Sequence, residues 1–302
     1  MGLRGGLTRY AWLSIATAAG VIILKVIAYL LTGSIGFLSD ALESGANIVS
    51  AIITLVALLV AARPPDEEHA FGHTKAEYLS AGAEGVLIIG AAVFIAVQAF
   101  ERFINPQPLA QVGLGLVVSV AATAANLIVA RILLKAGQRH RSAALTADAH
   151  HLMTDVWTSA GVIIGVAMVS LTGRLWLDPV IAMVVALQIV ATGLKLVRSS
   201  ANGLLDAGLP DEEVSRLRSI LDHYQAEGVT YHALRTRQAG AQRFVSVHIQ
   251  VPGGWSVQRG HELLEMIEYQ VRQELSPVNV ITHLEPVEDP ASWYDAALNR
   301  ED

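Results

Sequence analysis

Residues 144–171 read ALTADAHHLMTDVWTSAGVIIGVAMVSL, an apolar run whose first half carries ionisable side chains. The run exceeds the roughly 20 residues that a helix needs to cross a hydrocarbon core. An ionisable group inside such a helix costs several kcal/mol on most scales, so it marks a candidate functional site. His151 and Asp155 stand four residues apart and therefore share one helix face. The run predicts a membrane-spanning helix that carries a polar site.

Similar apolar runs fill the first two thirds of the chain. The 302 residues are 53% hydrophobic and only 16% charged, whereas soluble domains carry about a quarter charged residues. This composition excludes an ordinary soluble enzyme, and the lack of cysteine excludes disulfides and thiolate metal sites. We expect an α-helical membrane protein with six transmembrane helices in a domain of residues 1–208. The other five predicted spans are 10–31, 35–61, 79–100, 112–134 and 175–197.

Lysine and arginine are concentrated on one side of this predicted bundle. Cytoplasmic loops of membrane proteins carry the excess of these residues. The side that holds both chain ends carries ten of them, whereas the other side has little beyond Arg102 and Arg174. We therefore expect the N-terminus, the C-terminus and the polar tail to lie in the cytoplasm.

Residues 209–290 predict a small cytosolic α+β domain with the element order αββαβ. Pro210 begins the first helix and Ser256 caps the second. The alternating segments 229–237, 243–251 and 278–286 predict three strands in an open sheet that the helices cover on one face. Residues 291–302 are expected to be a loose tail. From Leu209 onward the net charge is −7, against +1 before it, so neither part has the basic surplus of a nucleic-acid-binding protein.

The second apolar run carries its own polar cluster, Asp40, Glu43 and Asn47. At about 1.5 Å per residue, two antiparallel helices place Glu43 level with Asp155 and Asn47 level with His151, near the membrane midplane. Four nitrogen and oxygen donors from two facing helices can form a tetrahedral site for a divalent transition-metal ion. The alternative is a buried polar network that only locks the two helices together.

Asp40 and Asp148 each precede the first predicted ligand of their helix by three residues. They lie nearer the outer and the inner mouth, respectively, and are either stations on an ion pathway or capping and interfacial groups. His150 points about 100° away from its neighbour His151 on a helix, so we expect it to pack or to support the site.

A short loop after the second run brings together Asp66, His69 and His73. Their spacing allows one loop to chelate a metal ion. The alternative is a solvated acidic loop.

The tail holds the remaining cluster of histidines. His232 and His248 fall on adjacent predicted strands, His283 falls on the third, and His261 lies near the start of the second tail helix. Strand alternation can place His248 and His283 on one face, with Glu285 two residues further on. The alternative is a set of scattered surface histidines.

In combination, several motifs resemble the cation diffusion facilitators, most closely their bacterial zinc- and iron-linked branch. The resemblance covers nearly the whole chain. It implies a homodimeric, proton-coupled antiporter of the bacterial inner membrane that exports divalent cations, with six spans and a metallochaperone-like cytosolic domain. The motifs are Thr-Gly-Ser-Ile at 32–35, His-Ala-Phe-Gly-His-Thr-Lys-Ala-Glu at 69–77, the run 148–155, Leu205-Asp206, Leu-Pro-Asp-Glu-Glu at 209–213 and Leu-Arg-Thr-Arg-Gln at 234–238.

The resemblance also assigns roles to individual residues. It implies a transport site, a loop metal site, a binuclear cytosolic site, and an ion pair at the dimer interface between the ends of the third and sixth helices. The transport site comprises Glu43, Asn47, His151 and Asp155, and the loop metal site comprises Asp66, His69 and His73. The binuclear cytosolic site comprises His232, His248, His261, His283 and Glu285. The interface ion pair joins Lys75 and Asp206.

One departure from this branch concerns the second span, which usually carries two aspartates where this chain has Glu43 and Asn47. The ionised site then has a charge of −2, which a divalent ion balances. The departure leaves the metal and the proton stoichiometry open.

The sequence predicts a Zn²⁺/H⁺ antiporter rather than an enzyme, and two alternatives stay open. Fe²⁺, Co²⁺, Ni²⁺, Cd²⁺ or Mn²⁺ could be the main substrate, since one histidine among oxygen ligands does not exclude them. The protein could also be a membrane-anchored metal sensor. A membrane-embedded metal hydrolase would need an open coordination position and a positioned base, and four protein ligands leave no such position.

Overall fold

The computed structural model describes residues 7–32, 35–105, 112–174 and 176–293. The chain divides into two compact units, Met1–Asn202 and Gly203–Asp302, which we call the membrane unit and the tail unit. The predicted domain limits at 208/209 and 290/291 stay predictions.

In the described part of the chain, the membrane unit has six long helices, in the positions where the sequence predicts six spans. Each predicted run lies largely within one helix, and short polar segments separate the helices. They are α1 (Thr8–Thr32), α2 (Ile35–Ala61), α3 (Ala76–Ile104), α4 (Val112–His140), α5 (Ala143–Thr172) and α6 (Leu177–Leu204).

Three segments among the described residues are long and apolar enough to cross a membrane: Ala76–Ile104, Val120–His140 and Pro179–Leu204. Thr8–Leu24 and Ile48–Ala61 are shorter apolar helices. The number of six transmembrane spans is therefore not confirmed and stays a prediction.

Small residues allow the helices of this unit to approach closely, as is usual for helix contacts in membranes. The clearest case joins α3 to α6. A Cβ atom added at Gly85 would lie 2.7 Å from Val197 Cγ2 and 3.2 Å from the Gly193 carbonyl oxygen. A Cβ at Gly193 would lie 3.1 Å from the Gly85 carbonyl oxygen. Both positions therefore need glycine, and this contact holds the middle of α3 against α6.

The tail unit confirms the predicted order αββαβ. Its sheet has the strand order β1-β2-β3, in which β1 and β2 form an antiparallel hairpin and β3 runs parallel to β2. Gly240 turns the hairpin at φ +58°. The elements are α7 (Asp211–Asp222), a 3₁₀ turn (His223–Glu227), β1 (Thr230–Ala239), β2 (Gln242–Val251), α8 (Val257–Leu275), β3 (Val278–Pro286) and a second 3₁₀ turn (Pro290–Trp293).

The core of the tail unit lies between one face of the sheet and the two helices, as predicted. Valine and isoleucine alternate along β2 and point into this core. Leu217 of α7 and Ile267 of α8 are buried against them. The predicted cap of α8 is confirmed, because Ser256 Oγ accepts a hydrogen bond from the backbone N–H of Arg259 at 3.2 Å. On the other face of the sheet, β2 carries Phe244, Ser246, His248 and Gln250.

The second 3₁₀ turn differs from the loose tail that the sequence predicts from residue 291. Ser292 is buried, and its hydroxyl donates to the Pro286 carbonyl at 2.7 Å. Its own carbonyl accepts a hydrogen bond from the Gln250 side chain at 2.9 Å. These bonds tie residues 290–293 to the sheet, and the rest of the predicted loose tail lies outside the described residues.

A buried ion pair that the sequence analysis did not anticipate joins the ends of three elements. Arg243 at the start of β2 donates to Glu213 of α7 through Nε at 2.8 Å and Nη2 at 3.2 Å. Its Nη1 donates to the carbonyl oxygen of Leu275, the last residue of α8, at 2.8 Å. Because both side chains are almost completely buried, either one alone would leave an uncompensated charge.

Glu213→Ala is therefore expected to destabilise the tail unit by about 3–5 kcal/mol. The matched control is Glu212→Ala on the same helix, whose exposed carboxylate lies 3.8 Å from Arg216 and which should change stability by less than about 1 kcal/mol. Hydrogen exchange of the β2 and α8 amides in the intact protein measures both effects. Equal protection in the two variants would contradict a structural role of the buried pair.

Candidate metal sites

The tail sheet places three histidines in a row across its strands. His232 of β1 is paired with His248 of β2, which is paired in turn with His283 of β3. Neighbouring rings have centroids 5.0 Å and 4.9 Å apart. His248 alternates with the buried residues Val247 and Ile249, so the row lies on the face that the helices leave open.

A β-bulge brings His232 into this row. The register of β1 against β2 shifts between His232 and Arg235, which pair with His248 and Ser246. One extra residue therefore lies in β1, and Ala233 takes it up at φ +52°. Without the bulge, His232 and Arg235 would point to opposite faces, because they are three residues apart.

Glu285 lies among the three imidazoles. Its Oε2 lies 2.7 Å from His232 Nε2, and its Oε1 lies 3.1 Å from His248 Nδ1 and 3.5 Å from His283 Nε2. Donor atoms of His232, His248 and Glu285 all lie within 4.8 Å of one another. Two nitrogens and one oxygen at this spacing can hold a divalent ion and leave one position for water or another ligand.

His283 and His261 differ in their relation to this group. The His283 side chain is 64% exposed and its Nε2 lies 3.5 Å from Glu285 Oε1, so it can contribute to a second ion. His261 is exposed near the start of α8, and α8 covers the opposite face of the sheet. The described chain therefore does not bring His261 to the row, and its assignment to a binuclear site stays a prediction.

Trp293 is a neighbour of the row that the sequence analysis missed. Its ring stacks on His232 at 6.4 Å between centroids with an interplanar angle of 25°. Its Nε1 donates to the Val287 carbonyl at 2.8 Å, which fixes the ring beside the site. The sequence offers no local signal for this contact, because residues 290–293 read as an irregular tail.

The loop between α2 and α3 brings its three predicted ligands together. Asp66 Oδ1 lies 3.3 Å from His69 Nδ1, and Asp66 Oδ2 lies 3.2 Å from His73 Nε2. The backbone N–H of His69 donates to Asp66 at 2.7 Å, and this bond, helped by His73, lowers the pKa of the Asp66 carboxyl. Asp66 is therefore ionised and ready to bind a cation at neutral pH. Whether the loop binds metal stays a prediction.

In the membrane unit, α5 carries His151 and Asp155 one turn apart, as predicted. His151 is 5% exposed and Asp155 is half-buried. Asn126 of α4, which the sequence analysis did not select, donates through Nδ2 to Asp155 Oδ2 at 3.4 Å. Its buried Oδ1 has no hydrogen-bond partner in the part of the chain that the structure describes. Asn126 therefore orients Asp155 and offers an additional oxygen.

The partners predicted from the second span lie in α2, but their side chains fall outside the described residues. They are Asp40, Glu43 and Asn47. The four-ligand transport site therefore stays a prediction, of which the structure describes the α5 half.

Asp148 does not cap its helix. Ser142 takes that role, because its hydroxyl accepts the backbone N–H of Leu145 at 3.3 Å, whereas Asp148 is fully buried. Glu84 of α3 is also fully buried and was missed. The sequence does indicate Glu84, because it is a single acidic residue inside the apolar run 79–100. An ionisable side chain inside such a run is the same feature that marks Asp155 as a candidate functional residue.

Lys75 directly precedes α3, and Asp206 follows α6. Asp206 accepts a hydrogen bond from Arg237 Nη1 at 3.2 Å within the tail unit. The predicted ion pair between Lys75 and Asp206 at a dimer interface stays a prediction.

Two family models match the two parts of the chain. The cation efflux transmembrane domain matches residues 11–205, and the cation efflux protein cytoplasmic domain matches residues 209–287. The chain belongs to the cation diffusion facilitator family. It is accordingly an integral membrane protein of a family of cation-efflux transporters, which confirms the predicted family, whereas the cytoplasmic position of the chain ends stays a prediction.

Relatives in this family match along nearly their whole length. An uncharacterized transporter of Synechocystis sp. is 49% identical over 97% of this chain and 96% of its own. The cation-efflux pump FieF of Shewanella oneidensis is 31% identical over 91% of this chain and 92% of its own. A solved structure of CzrB in its Zn form is 33% identical over 28% of this chain and 96% of its own, with a TM-score of 0.26.

The bulge generates a prediction about backbone strain. Ala233→Gly should preserve Zn²⁺ binding by the tail unit, since glycine adopts positive φ without the penalty of about 1–2 kcal/mol that other residues incur. Ala233→Val should misplace His232 and weaken Zn²⁺ binding by about tenfold, because a β-branched side chain disfavours this conformation. Calorimetric titration of both variants with Zn²⁺ measures the difference, and equal affinities would contradict the role of the bulge.

The histidine row generates a second prediction. His248→Ala should remove Zn²⁺ from the tail unit, because His248 is the central member of the row. His223→Ala is the matched control, since His223 is an exposed histidine of the same unit and lies outside the metal-binding group. Zn²⁺ stoichiometry and Zn²⁺-dependent thermal stabilisation should fall in the first variant alone, and an equal fall in both would remove the site assignment.

Proposed function

We propose that this protein exports divalent transition-metal cations from the cytosol in exchange for protons, with Zn²⁺ as its main substrate. The observation that carries the proposal is the pair His151 and Asp155, one turn apart within the membrane unit, with His151 buried. Imidazole and carboxylate together suit a divalent ion of intermediate softness. The name cation-efflux pump given to the FieF relatives supports the outward direction.

The proposed transport site adds Glu43 and Asn47 from α2 to the α5 pair. With His151 neutral and both carboxyl groups ionised, its charge of −2 is balanced by one divalent ion. Asn47 contributes a carbonyl oxygen that neither carries charge nor titrates. Fe²⁺, Co²⁺, Ni²⁺, Cd²⁺ and Mn²⁺ remain alternative substrates, because one imidazole among oxygen donors discriminates weakly between them.

Proton coupling follows from the chemistry of the ligands. A metal ion binds only neutral imidazole and ionised carboxylate, so metal and protons compete for the same atoms. In the proposed cycle, the inward-facing site binds the metal and the helices then expose it on the outer side. Protonation of His151 there releases the ion, and the return step delivers the proton to the cytosol.

The tail unit is proposed to sense cytosolic metal within a homodimer. Its metal-binding group lies on the tail sheet and is built from residues of the tail unit alone. Metal at His232, His248 and Glu285 would draw three strands together and stiffen the sheet. Transport would then accelerate as cytosolic metal rises, and some transport would survive without the tail site.

The proposed function predicts that Asp155→Ala and His151→Ala abolish Zn²⁺ uptake by proteoliposomes driven by a pH gradient. The matched control is His150→Ala, which removes the adjacent imidazole on the same helix and should retain most transport. Uptake by the wild type should fall when the gradient is collapsed.

The same assay separates the alternatives. A membrane-anchored sensor would bind Zn²⁺ without moving it, so absence of uptake by the folded wild type would overturn the proposal. Uptake that survives in Asp155→Ala would remove the site assignment. Parallel assays with the other divalent ions would identify the main substrate.

A further inference from the structure

Besides Glu77, which accepts a hydrogen bond from Ser142, two acidic side chains are fully buried among the described residues of the membrane unit. Glu84 of α3 and Asp148 of α5 are both 0% exposed. Ala81 and Ile88, one turn before and after Glu84, lie in one buried cluster with Ala147, the neighbour of Asp148, and the two carboxyl groups interact electrostatically. Neither has an ion-pair partner among the residues that the structure describes.

Hydrogen bonds satisfy only part of this pair. Glu84 Oε1 accepts from Thr54 Oγ1 at 2.6 Å and from Ser80 Oγ at 3.3 Å. Glu84 Oε2 and both oxygens of Asp148 have no hydrogen-bond partner within the described ranges. Since buried polar groups in native proteins are almost always bonded, three such carboxylate oxygens in one place need an explanation.

Two further buried oxygens point at the pair from other helices. Ser14 of α1 faces Asp148, and Ser50 of α2 faces Glu84. Both serines are 0% exposed, and neither hydroxyl has a partner of standard hydrogen-bond geometry in the described chain. The buried oxygens around Glu84 and Asp148 therefore come from four helices, α1, α2, α3 and α5.

The charge of this position selects its ligand. Two carboxylates buried without a counter-ion carry a large desolvation penalty and repel each other. One divalent cation neutralises both, and serine and threonine hydroxyls can complete an all-oxygen coordination shell. Such a shell suits hard ions such as Mn²⁺ and holds a borderline ion such as Zn²⁺ less firmly than a set that includes imidazole.

The location relates the pair to the transport site. Asp148 precedes His151 by three residues on the same helix, which corresponds to about 4.5 Å along the axis. On the predicted orientation of α5, it lies on the cytosolic side of His151.

We propose that Glu84 and Asp148 form a second, oxygen-only site for a divalent cation in the membrane unit. The ion passes from this site to His151 and Asp155, a step that rests on the proposed export function. Glu84 and Asp148 form the weaker ligand set on the cytosolic side, and His151 and Asp155 form the stronger set nearer the membrane midplane. An ion that enters from the cytosol can therefore pass from the first set to the second and be retained there.

The experiment is equilibrium dialysis of the full-length protein in detergent against Mn²⁺. Glu84→Gln keeps the shape of the side chain and removes its charge, so it should lower the number of bound Mn²⁺ by one per chain. The matched control is Glu77→Gln, which makes the same change on the same helix at an equally buried carboxylate that lies about two turns from Glu84 and accepts a hydrogen bond from Ser142. The control should keep its Mn²⁺ stoichiometry.

Asp148→Asn is the second variant and should show the same loss. It also keeps the test decisive if Glu84→Gln does not yield folded protein. Unchanged Mn²⁺ stoichiometry and affinity in folded Glu84→Gln or Asp148→Asn would overturn the proposal, and so would equal losses in Glu84→Gln and Glu77→Gln.

Asp155→Ala separates this site from the transport function. Mn²⁺ should still bind to the Glu84–Asp148 pair in Asp155→Ala, although transport is lost. If the wild type moves no metal while Glu84→Gln still loses one Mn²⁺, the export function fails and the site stands. Asp155→Ala and Glu84→Gln could each bind one Mn²⁺ fewer than the wild type. If the double variant also binds only one Mn²⁺ fewer, both residues belong to the same site and the proposal of two sites is overturned.

Discussion

Charge inside an apolar helix bundle must be neutralised by something within reach, because neither lipid nor packed alanine and leucine solvates it. This constraint organises the membrane unit. Its ionisable groups stand where hydroxyl and amide groups of neighbouring helices face them, such as Thr54 opposite Glu84 and Asn126 opposite Asp155. Close helix approach at Gly85 and Gly193 then holds α3, and Glu84 with it, in a fixed position.

In the tail unit, the metal-binding side chains are brought together by a sheet rather than by a helix. A helix brings two ligands together by its own periodicity, four residues apart, whereas a sheet brings them together through strand register. The row of three histidines depends on β1, β2 and β3 being paired in the correct register, and on one extra residue at Ala233. The buried pair of Arg243 and Glu213 fixes the start of β2 against both helices, so it supports that register from the opposite face.

Whether the sequence predicts a contact depends on how far apart its two residues lie along the chain. The pair His151 and Asp155, the cap at Ser256 and the order αββαβ follow from spacing along the chain, and the structure has them. The pairings that the sequence did not predict join residues distant in sequence, such as Asn126 with Asp155 and Trp293 with His232. The bulge at Ala233 was also missed, because alanine carries no signal for positive φ.

Glu84 is a different case, since the sequence did contain its signal. It was missed because no ionisable neighbour on its own helix lies at the spacing of a pair, and only the fold brings Asp148 to it. A solitary acidic residue in an apolar run therefore predicts a partner on another helix, although the sequence alone does not say which.

The tail group and the Glu84–Asp148 pair differ in how they behave without metal, and this difference matches the roles proposed for them. In the tail, Glu285 Oε2 lies 2.7 Å from His232 Nε2, so these ligand groups hold each other in position. A site that is already arranged binds its ion without a large ordering cost, which suits a sensor that must respond to small changes in metal. Glu84 and Asp148 cannot satisfy each other, because both are acceptors when ionised. Under the proposed function they would hold a cation, either a metal ion or a proton, so that one leaves as another arrives. Obligatory exchange is the property that a metal/proton antiporter needs along its ion path, and buried unpaired carboxylates provide it through desolvation alone.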